Sequence, residues 1–233
     1  MKHLRTAFAV ALLASGPALA HGGLVDVSVF DRTDGRSLPV YWHEGRAYVA
    51  GKPGNEYRIS LRNRQREDLL AVVSVDGINV ITGETAHPSQ SGYILAPRVR
   101  MDIQGWRRSL SQTAAFYFTS LPDSYAARTG RPNDAGVIGV ALFRRKAHQP
   151  PAPMAREGAA DSARREESRV GTGHGRHETS YAYHTTFERA TQQPAETITL
   201  FYDSRVNLVA RGIIREATTH PRPFPGFVPD PAG

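Results

Sequence analysis

Histidines are concentrated near the C-terminal end, where imidazoles and a carboxylate fall close together. His174, His177 and Glu178 lie within residues 174–178, and His184 follows. Imidazole nitrogen and carboxylate oxygen are both ligands of zinc. The spacing matches no closed zinc motif and glycines flank it, so the sequence predicts a weak metal site at His174 and His177, with adventitious binding as the alternative.

A second metal hypothesis concerns His21, which follows a predicted cleavage site. If His21 is the first residue of the mature chain, its free amine and imidazole can chelate Cu(II) together. No partner histidine is indicated, since His43 and His87 are the only others in residues 21–146. The sequence therefore predicts no cofactor, with copper held by His21 as the alternative.

The segment 124–132 has the residue types of a ligand-binding loop. Tyr125, Arg128 and Arg131 supply an aromatic platform and planar guanidinium donors, which suit a carboxylate or a sugar. In the alternative, Tyr125 packs under the loop and the arginines bind backbone carbonyls. The same two interpretations apply to Trp106 with Arg107 and Arg108, where packing of the indole in the core is favoured.

Sequence motifs of catalysis are missing. The chain has no Gly-x-Ser-x-Gly, no Ser-x-x-Lys, no His-Glu-x-x-His and no cysteine, the signatures of several hydrolase classes. Asp76 and Asp123 are interpreted as a turn residue and a loop residue. We therefore expect a binding protein rather than an enzyme, with a carbohydrate-acting enzyme built from carboxylates on separate loops as an alternative.

The first twenty residues have the order of a secretory signal peptide. Basic residues Lys2 and Arg5 precede an apolar run over 7–14, and Ala18-Leu19-Ala20 supplies the small-x-small pattern that a signal peptidase cleaves. The apolar run is shorter than the roughly 20 residues that cross a bilayer. The pattern predicts cleavage before His21, a periplasmic or secreted bacterial protein, and no transmembrane segment in the mature chain.

Charge and composition narrow the classes of partner. Without Lys2 and Arg5, 27 basic residues remain against 22 acidic ones, a net charge of +5. No basic helix or basic-aromatic stripe is present, so nucleic-acid binding is not expected. The absence of cysteine means that an apolar core, and not disulfides, must stabilise the fold. The expected partner is an envelope component, such as an anionic surface, or a small ligand.

Short apolar runs separated by glycine and proline fill residues 21–146 and predict an antiparallel β-sandwich. Asp76-Gly77 between β-branched runs predicts a two-residue hairpin turn, and 43–46 predicts a second hairpin loop. Tyr57, Ile59 and Leu61 alternate with basic or polar residues, which indicates a half-buried strand with arginines outward. No long helical period interrupts the series, and parallel crossovers normally need helices.

The composition changes after residue 146. Residues 147–172 are rich in proline, arginine, glutamate and alanine, which predicts a disordered linker. Residues 173–216 predict a small α+β unit that docks on the sandwich, with extension of one of its sheets as one way of docking. Its expected elements are a helix at 185–191 and strands at 197–202 and 207–214. Residues 217–233 form a proline-rich tail.

Several distinctive strings along the mature sequence resemble a family of uncharacterised exported proteobacterial proteins with a β-rich domain. The strings are Val25-Asp26-Val27-Ser28-Val29, Val49-Ala50-Gly51-Lys52-Pro53-Gly54, Ser74-Val75-Asp76-Gly77-Ile78-Asn79-Val80, Gly105-Trp106-Arg107, Ser124-Tyr125-Ala126-Ala127-Arg128-Thr129-Gly130-Arg131-Pro132, Gly136-Val137-Ile138-Gly139-Val140, Gly171-Thr172-Gly173-His174-Gly175 and Asn207-Leu208-Val209-Ala210-Arg211-Gly212. The resemblance implies export and a β-rich fold, and it assigns no activity.

Overall fold

The computed structural model describes residues 20–146 and 170–215. The predicted leader up to residue 19, most of the predicted linker (147–169) and the proline-rich tail lie outside the described residues. The predicted scissile bond between Ala20 and His21 falls inside a short strand, and Ala20 is buried.

The described residues form fifteen strands and two short α-helices. In chain order the strands are β1 (Ala20–His21), β2 (Val25–Asp31), β3 (Arg36–Ser37), β4 (Val40–His43), β5 (Arg46–Gly51), β6 (Glu56–Asn63), β7 (Leu69–Val75), β8 (Ile78–Asn79), β9 (Tyr93–Leu95), β10 (Arg100–Ile103), β11 (Gly105–Arg107), β12 (Gln112–Ser120), β13 (Val137–Arg144), β14 (Val170–Thr179) and β15 (Glu196–Ser204). The helices are α1 (Tyr125–Arg128) and α2 (Arg205–Ala210), and single 3-10 turns cover Leu121–Asp123 and Pro132–Asp134.

The strands form two sheets that pack face to face, so the predicted mainly β sandwich is confirmed. Sheet A runs β1-β2-β6-β12-β11, with β3 beside β2, β10 beside β6 and β14 beside β12. Sheet B runs β4-β5-β15-β13-β7-β8, with β9 beside β7. One core lies between the sheets because alternate residues of each strand point inward. In β2, Val25, Val27 and Val29 are fully buried.

Both predicted hairpin turns are confirmed. Asp76 and Gly77 have φ of 52° and 71° between the paired residues Val75 and Ile78. The hairpin between β4 and β5 turns through residues 44 and 45, whose φ values are 48° and 72°. Positive φ at both turn positions matches the right-handed twist of the flanking strands.

One strand pair differs from the antiparallel expectation. β15 lies antiparallel to β13 on one side and parallel to β5 on the other. The rule that parallel neighbours need a helical crossover applies to strands that follow each other in the chain. β5 and β15 are separated by most of the fold, so their relative direction is not limited by a short connection.

The C-terminal strands are integral to both sheets, so the C-terminal residues join the sandwich by extending its sheets. β14 pairs with β12 along Gln112–Ser120, and β15 lies inside sheet B. The first residues of β14, Val170–Thr172, were expected to belong to the linker. The sandwich is therefore completed by chain from both sides of the 147–169 segment.

Two smaller elements also differ from expectation. Residues 185–191 do not form a helix. They run beside the end of β13, where the Lys146 N–H donates to the Glu188 carbonyl and the Ala190 N–H donates to the Arg144 carbonyl. The strand expected at 207–214 is α2 and the turn after it, because the Ser204 hydroxyl caps the Asn207 N–H at 3.2 Å. Leu208 then packs with nearby apolar residues in a small cluster beside the main core.

A chain of buried hydrogen bonds anchors β14 and β15 to the β7–β8 hairpin at Asp76. Tyr202 Oη donates to Asp76 Oδ1 at 2.5 Å, so it must accept from Thr172 Oγ1, which lies 2.6 Å away. Thr172 in turn accepts from Tyr57 Oη at 2.6 Å. Backbone N–H groups of Thr172 and Gly136 donate to the Asp76 carboxyl at 2.6 and 2.9 Å. Thr172, which lies in β14 two residues before His174, is thereby fixed in position.

Candidate functional site

Residues from three separate stretches of chain meet at the edge of the sandwich next to β14. Tyr125 and Arg128 belong to α1, His174 and His177 to β14, and Arg108 follows β11. We call this group the Tyr125 cluster. It brings together residues that the sequence assigned to two different sites, a ligand loop and a metal cluster.

The position of β14 depends on its glycines. Gly173 lies opposite Tyr117 of β12, and a Cβ at Gly173 would overlap the Tyr117 ring. A Cβ at Gly175 would stand 2.6 Å from the Ala115 carbonyl oxygen. Only glycine permits so close an approach without displacing a neighbour.

A β-bulge in β14 places both histidines on one face. His174 pairs with Phe116 and His177 with Ala114, so three steps along β14 match two along β12. Residues three apart in a regular strand point to opposite faces, and the extra residue of a bulge cancels that difference. The imidazole ring centroids are 6.5 Å apart and nearly perpendicular.

Helix α1 holds the aromatic wall of the cluster. Ser124 caps it by accepting a hydrogen bond from the Ala127 N–H at 3.1 Å, as serine commonly does at this position. The Tyr125 ring then lies between Trp106 at 5.1 Å and His174 at 5.3 Å, measured between ring centroids. Trp106 is buried against Phe116, as the core-packing interpretation predicted.

His174 is neutral in this arrangement. Arg108 Nη1 lies 3.4 Å from His174 Nε2, and arginine can only donate, so Nε2 must accept and the ring proton sits on Nδ1. Burial, then the positive charge of Arg108, and then those of His177 and Arg128 hold the pKa of His174 below its ordinary 6.5, while a hydrogen bond with its own backbone acts in the opposite direction.

Eight other described arginines form ion pairs with carboxylates. Arg32 Nη2, for example, lies 2.7 Å from Glu178 Oε1. Further pairs are Arg58–Asp102, Arg144–Glu67, Arg145–Asp68 and Arg176–Glu56. Within residues 20–146 and 170–215, neither Arg108 nor Arg128 makes an ion pair with a carboxylate. The Tyr125 cluster is therefore a local excess of positive charge.

The guanidinium of Arg131, the third residue of the expected ligand loop, is engaged by the backbone. Its Nη1 donates to the Gly83 carbonyl at 3.4 Å. This is the carbonyl-binding role that was the alternative interpretation for the arginines of the loop.

The histidine pair has no further metal ligand in the part of the chain that the structure describes, where no three His, Cys, Asp or Glu side chains gather to hold an ion. Glu178, which is close in sequence, uses both carboxylate oxygens to bind Arg32 at 2.9 and 2.7 Å. The backbone of His21 pairs with Asp26, and its side chain lies outside the described structure.

A shallow groove of about 280 Å³ lies at another edge, between the N-terminal segment, the β4–β5 hairpin and β15. Trp42 and Arg46 line it, together with one carboxylate, Glu196. Both Glu196 oxygens accept backbone N–H groups, from Gly23 at 2.6 Å and Leu24 at 2.7 Å. Among its described residues the groove thus lacks the carboxylate pair that glycoside hydrolysis commonly uses.

No family model, curated protein or solved structure matches this chain. The resemblance to exported proteobacterial proteins therefore stays a prediction. None of the helices among the described residues has the length and apolar character needed to cross a membrane.

The sequence singled out Tyr125, Arg128, His174 and His177 but did not bring them together. Arg108 was noted only as a neighbour of Trp106. The available signal was the unusual glycine alternation in 171–175, which indicates a strand in close contact with another backbone. The bulge that turns His174 and His177 to one side has no signature in the spacing.

Proposed function

We propose that this chain is an exported, non-catalytic binding protein whose ligand carries an anionic group held by the Tyr125 cluster. The supporting observation is that Arg108 and Arg128 flank a half-buried, neutral His174 without a carboxylate partner in the described residues. The signal-like leader supports export to the periplasm or beyond.

An anion suits this charge arrangement better than a metal ion does. Guanidinium groups bind carboxylate, phosphate or sulfate with two parallel hydrogen bonds. The positive charges of Arg108 and Arg128 would repel a cation placed at His174 and His177. Tyr125 supplies an aromatic wall for the non-ionic part of the ligand.

Sulfate is a suitable first probe because it stays fully ionised across the useful pH range. With Trp42→Phe, Trp106 is the single tryptophan of the chain, and its contact with Tyr125 makes its fluorescence a reporter of the site. We expect saturable binding of sulfate, weakened roughly tenfold or more by Arg108→Gln or Arg128→Gln, because hydrogen bonds to charged groups contribute about 1.5–3 kcal/mol.

The matched control is Arg36→Gln, which removes one exposed guanidinium at β3, outside the cluster. It should bind sulfate as the parent does. Equal loss in all three variants would reveal a net-charge effect, and absence of saturable binding in the parent would refute the anion site.

Sulfate binding should also strengthen as pH falls. The pKa of His174 lies below its ordinary value, so acidification through that pKa adds a positive charge next to the bound anion. A fluorescence titration repeated from neutral to acidic pH checks this. The His174→Gln variant should lose part of the gain, whereas His87→Gln, which alters a histidine outside the cluster, should keep all of it.

A further inference from the structure

The outer face of sheet A carries arginines directly opposite each other. Arg62 of β6 pairs in register with Arg100 of β10 on one side and with Asp26 of β2 on the other. Directly opposed residues share a face, and this face is the outer one because the neighbouring Leu61 and Ile59 are fully buried. Both arginines are exposed.

The carboxylates on this face have other partners. Asp102 accepts from Ser60 Oγ at 2.5 Å and lies 3.1 Å from Arg58 Nε. Asp26 lies 3.7 Å from Arg64 Nη1. The local acidic groups are thus engaged by Ser60, Arg58 and Arg64.

Arg62 and Arg100 have no ion pair within residues 20–146 and 170–215. Like charges directly opposite on adjacent strands destabilise a sheet. The fold itself therefore gains nothing from placing two arginines at these positions.

The turn that precedes β10 adds a third exposed arginine, Arg98, next to this pair. Arg98 has a φ of 61° in the turn closed by the Val99 N–H and the Ala96 carbonyl. A non-glycine residue in this region costs about 1 kcal/mol or more and is often found at functional sites. Val99, which follows Arg98 and precedes Arg100 in the chain, has 52% of its surface exposed.

We propose that the surface made by the opposed Arg62 and Arg100 and the adjoining Arg98–Val99 turn, which we call the arginine face, docks on an anionic phospholipid bilayer. Phosphate groups in the headgroup layer would satisfy the unpaired guanidiniums, and the Val99 side chain would enter the boundary between headgroups and acyl chains. The exposed apolar tip between cations favours a bilayer over a soluble polyanion. The face shares no residue with the Tyr125 cluster, so this proposal is independent of the proposed function.

Flotation with phosphatidylcholine vesicles, with and without phosphatidylglycerol, tests the proposal on the full chain, so that any leader is common to all variants. Binding should require the anionic lipid and weaken as salt rises. Each lost arginine should weaken binding about fivefold, because a basic residue near an anionic surface contributes about 1 kcal/mol. We therefore expect a loss of roughly 25-fold for Arg62→Gln with Arg100→Gln.

Arg46→Gln, at the start of β5 in sheet B, is the charge-matched control for each single variant, Arg62→Gln or Arg100→Gln, and it should bind like the parent. The double variant should be at least as stable to urea as the parent, because it removes a like-charge pair. Val99→Ser should weaken vesicle binding while leaving retention on a heparin column unchanged. Vesicle binding that is equal in parent and double variant, or heparin retention without vesicle binding, would overturn the proposal.

Discussion

The Asp76 carboxyl is fully buried, and this burial raises its pKa. The pKa rises to about 6 from 3.8, while hydrogen bonds from Tyr202, Thr172 and Gly136 act in the opposite direction. The turn role of Asp76 follows from its neighbour Gly77, and the structure confirms it. The burial could not be predicted, because its partners Thr172 and Tyr202 lie 96 and 126 residues away in the chain.

A folded-state pKa above the unfolded value gives a defined pH dependence. The contribution of Asp76 to stability is fully present below about pH 3.8 and is lost as pH rises through about 6. The pKa difference corresponds to about 3 kcal/mol. Urea unfolding of Asp76→Ala, compared with the parent from pH 4 to pH 7, should show the parent losing more stability over this range than the variant loses.

Removing the Tyr202 hydroxyl tests the ionisation of Asp76 through its hydrogen-bond donor. Tyr202→Phe should cost about 1–3 kcal/mol at pH 7, because a buried carboxylate loses a donor, and less at pH 5, where Asp76 is mostly protonated. Tyr57→Phe is the matched buried control, because its hydroxyl reaches Thr172 and not Asp76. Its cost should be similar at both pH values; equal pH dependence in the two variants would contradict the assigned hydrogen-bond order.

At the scale of elements, strand β14 decides whether the candidate site exists. Strand bounds in residues 21–146 follow from alternation and turn residues, and the structure confirms their pattern. The glycine-rich β14 has little apolar alternation, so its first residues were assigned to a linker and no strand was predicted at His174 and His177. Contacts with Tyr117 and Ala115, rather than intrinsic preference, hold it in sheet A.

Gly175→Ala tests this contact. The added methyl group would stand 2.6 Å from the Ala115 carbonyl oxygen, a backbone atom that cannot rotate aside, and overpacking of this kind typically costs about 1–3 kcal/mol. A lower urea midpoint and a loss of sulfate binding should appear together. Gly23→Ala is the control, because its nearest neighbour would be the Glu196 carboxylate at 3.9 Å, so a change within about 0.5 kcal/mol is expected. An unchanged midpoint in Gly175→Ala would show that β14 is not packed against the β12 backbone at Ala115.

At the scale of the whole molecule, the two stretches of chain on either side of residues 147–169 form one sandwich. β15 lies between β5 and β13, so sheet B is interrupted without it. The sequence predicted the sandwich but not this interleaving, because local patterns do not specify which distant strands become neighbours. The unexpected parallel pair of β5 and β15 has the same origin.

Truncation after Lys146 should therefore prevent folding, because it leaves β5 and β13 without their shared neighbour and exposes the core. Circular dichroism and size-exclusion chromatography should show an unfolded or aggregated fragment. Truncation after Arg215 keeps all described strands and should fold. A compact, cooperatively unfolding fragment 1–146 would show that the C-terminal strands are a dispensable addition.

The most direct test of the anion site is an NMR titration of the His174 ring with and without sulfate. The pKa of His174 should lie below 6.5 in the free chain, with the proton of the neutral ring on Nδ1. It should rise at saturating sulfate because the anion offsets the charges of Arg108 and Arg128. The ring of His43 should not respond. A His174 pKa that sulfate leaves unmoved, or one above 6.5 in the free chain, would contradict the account.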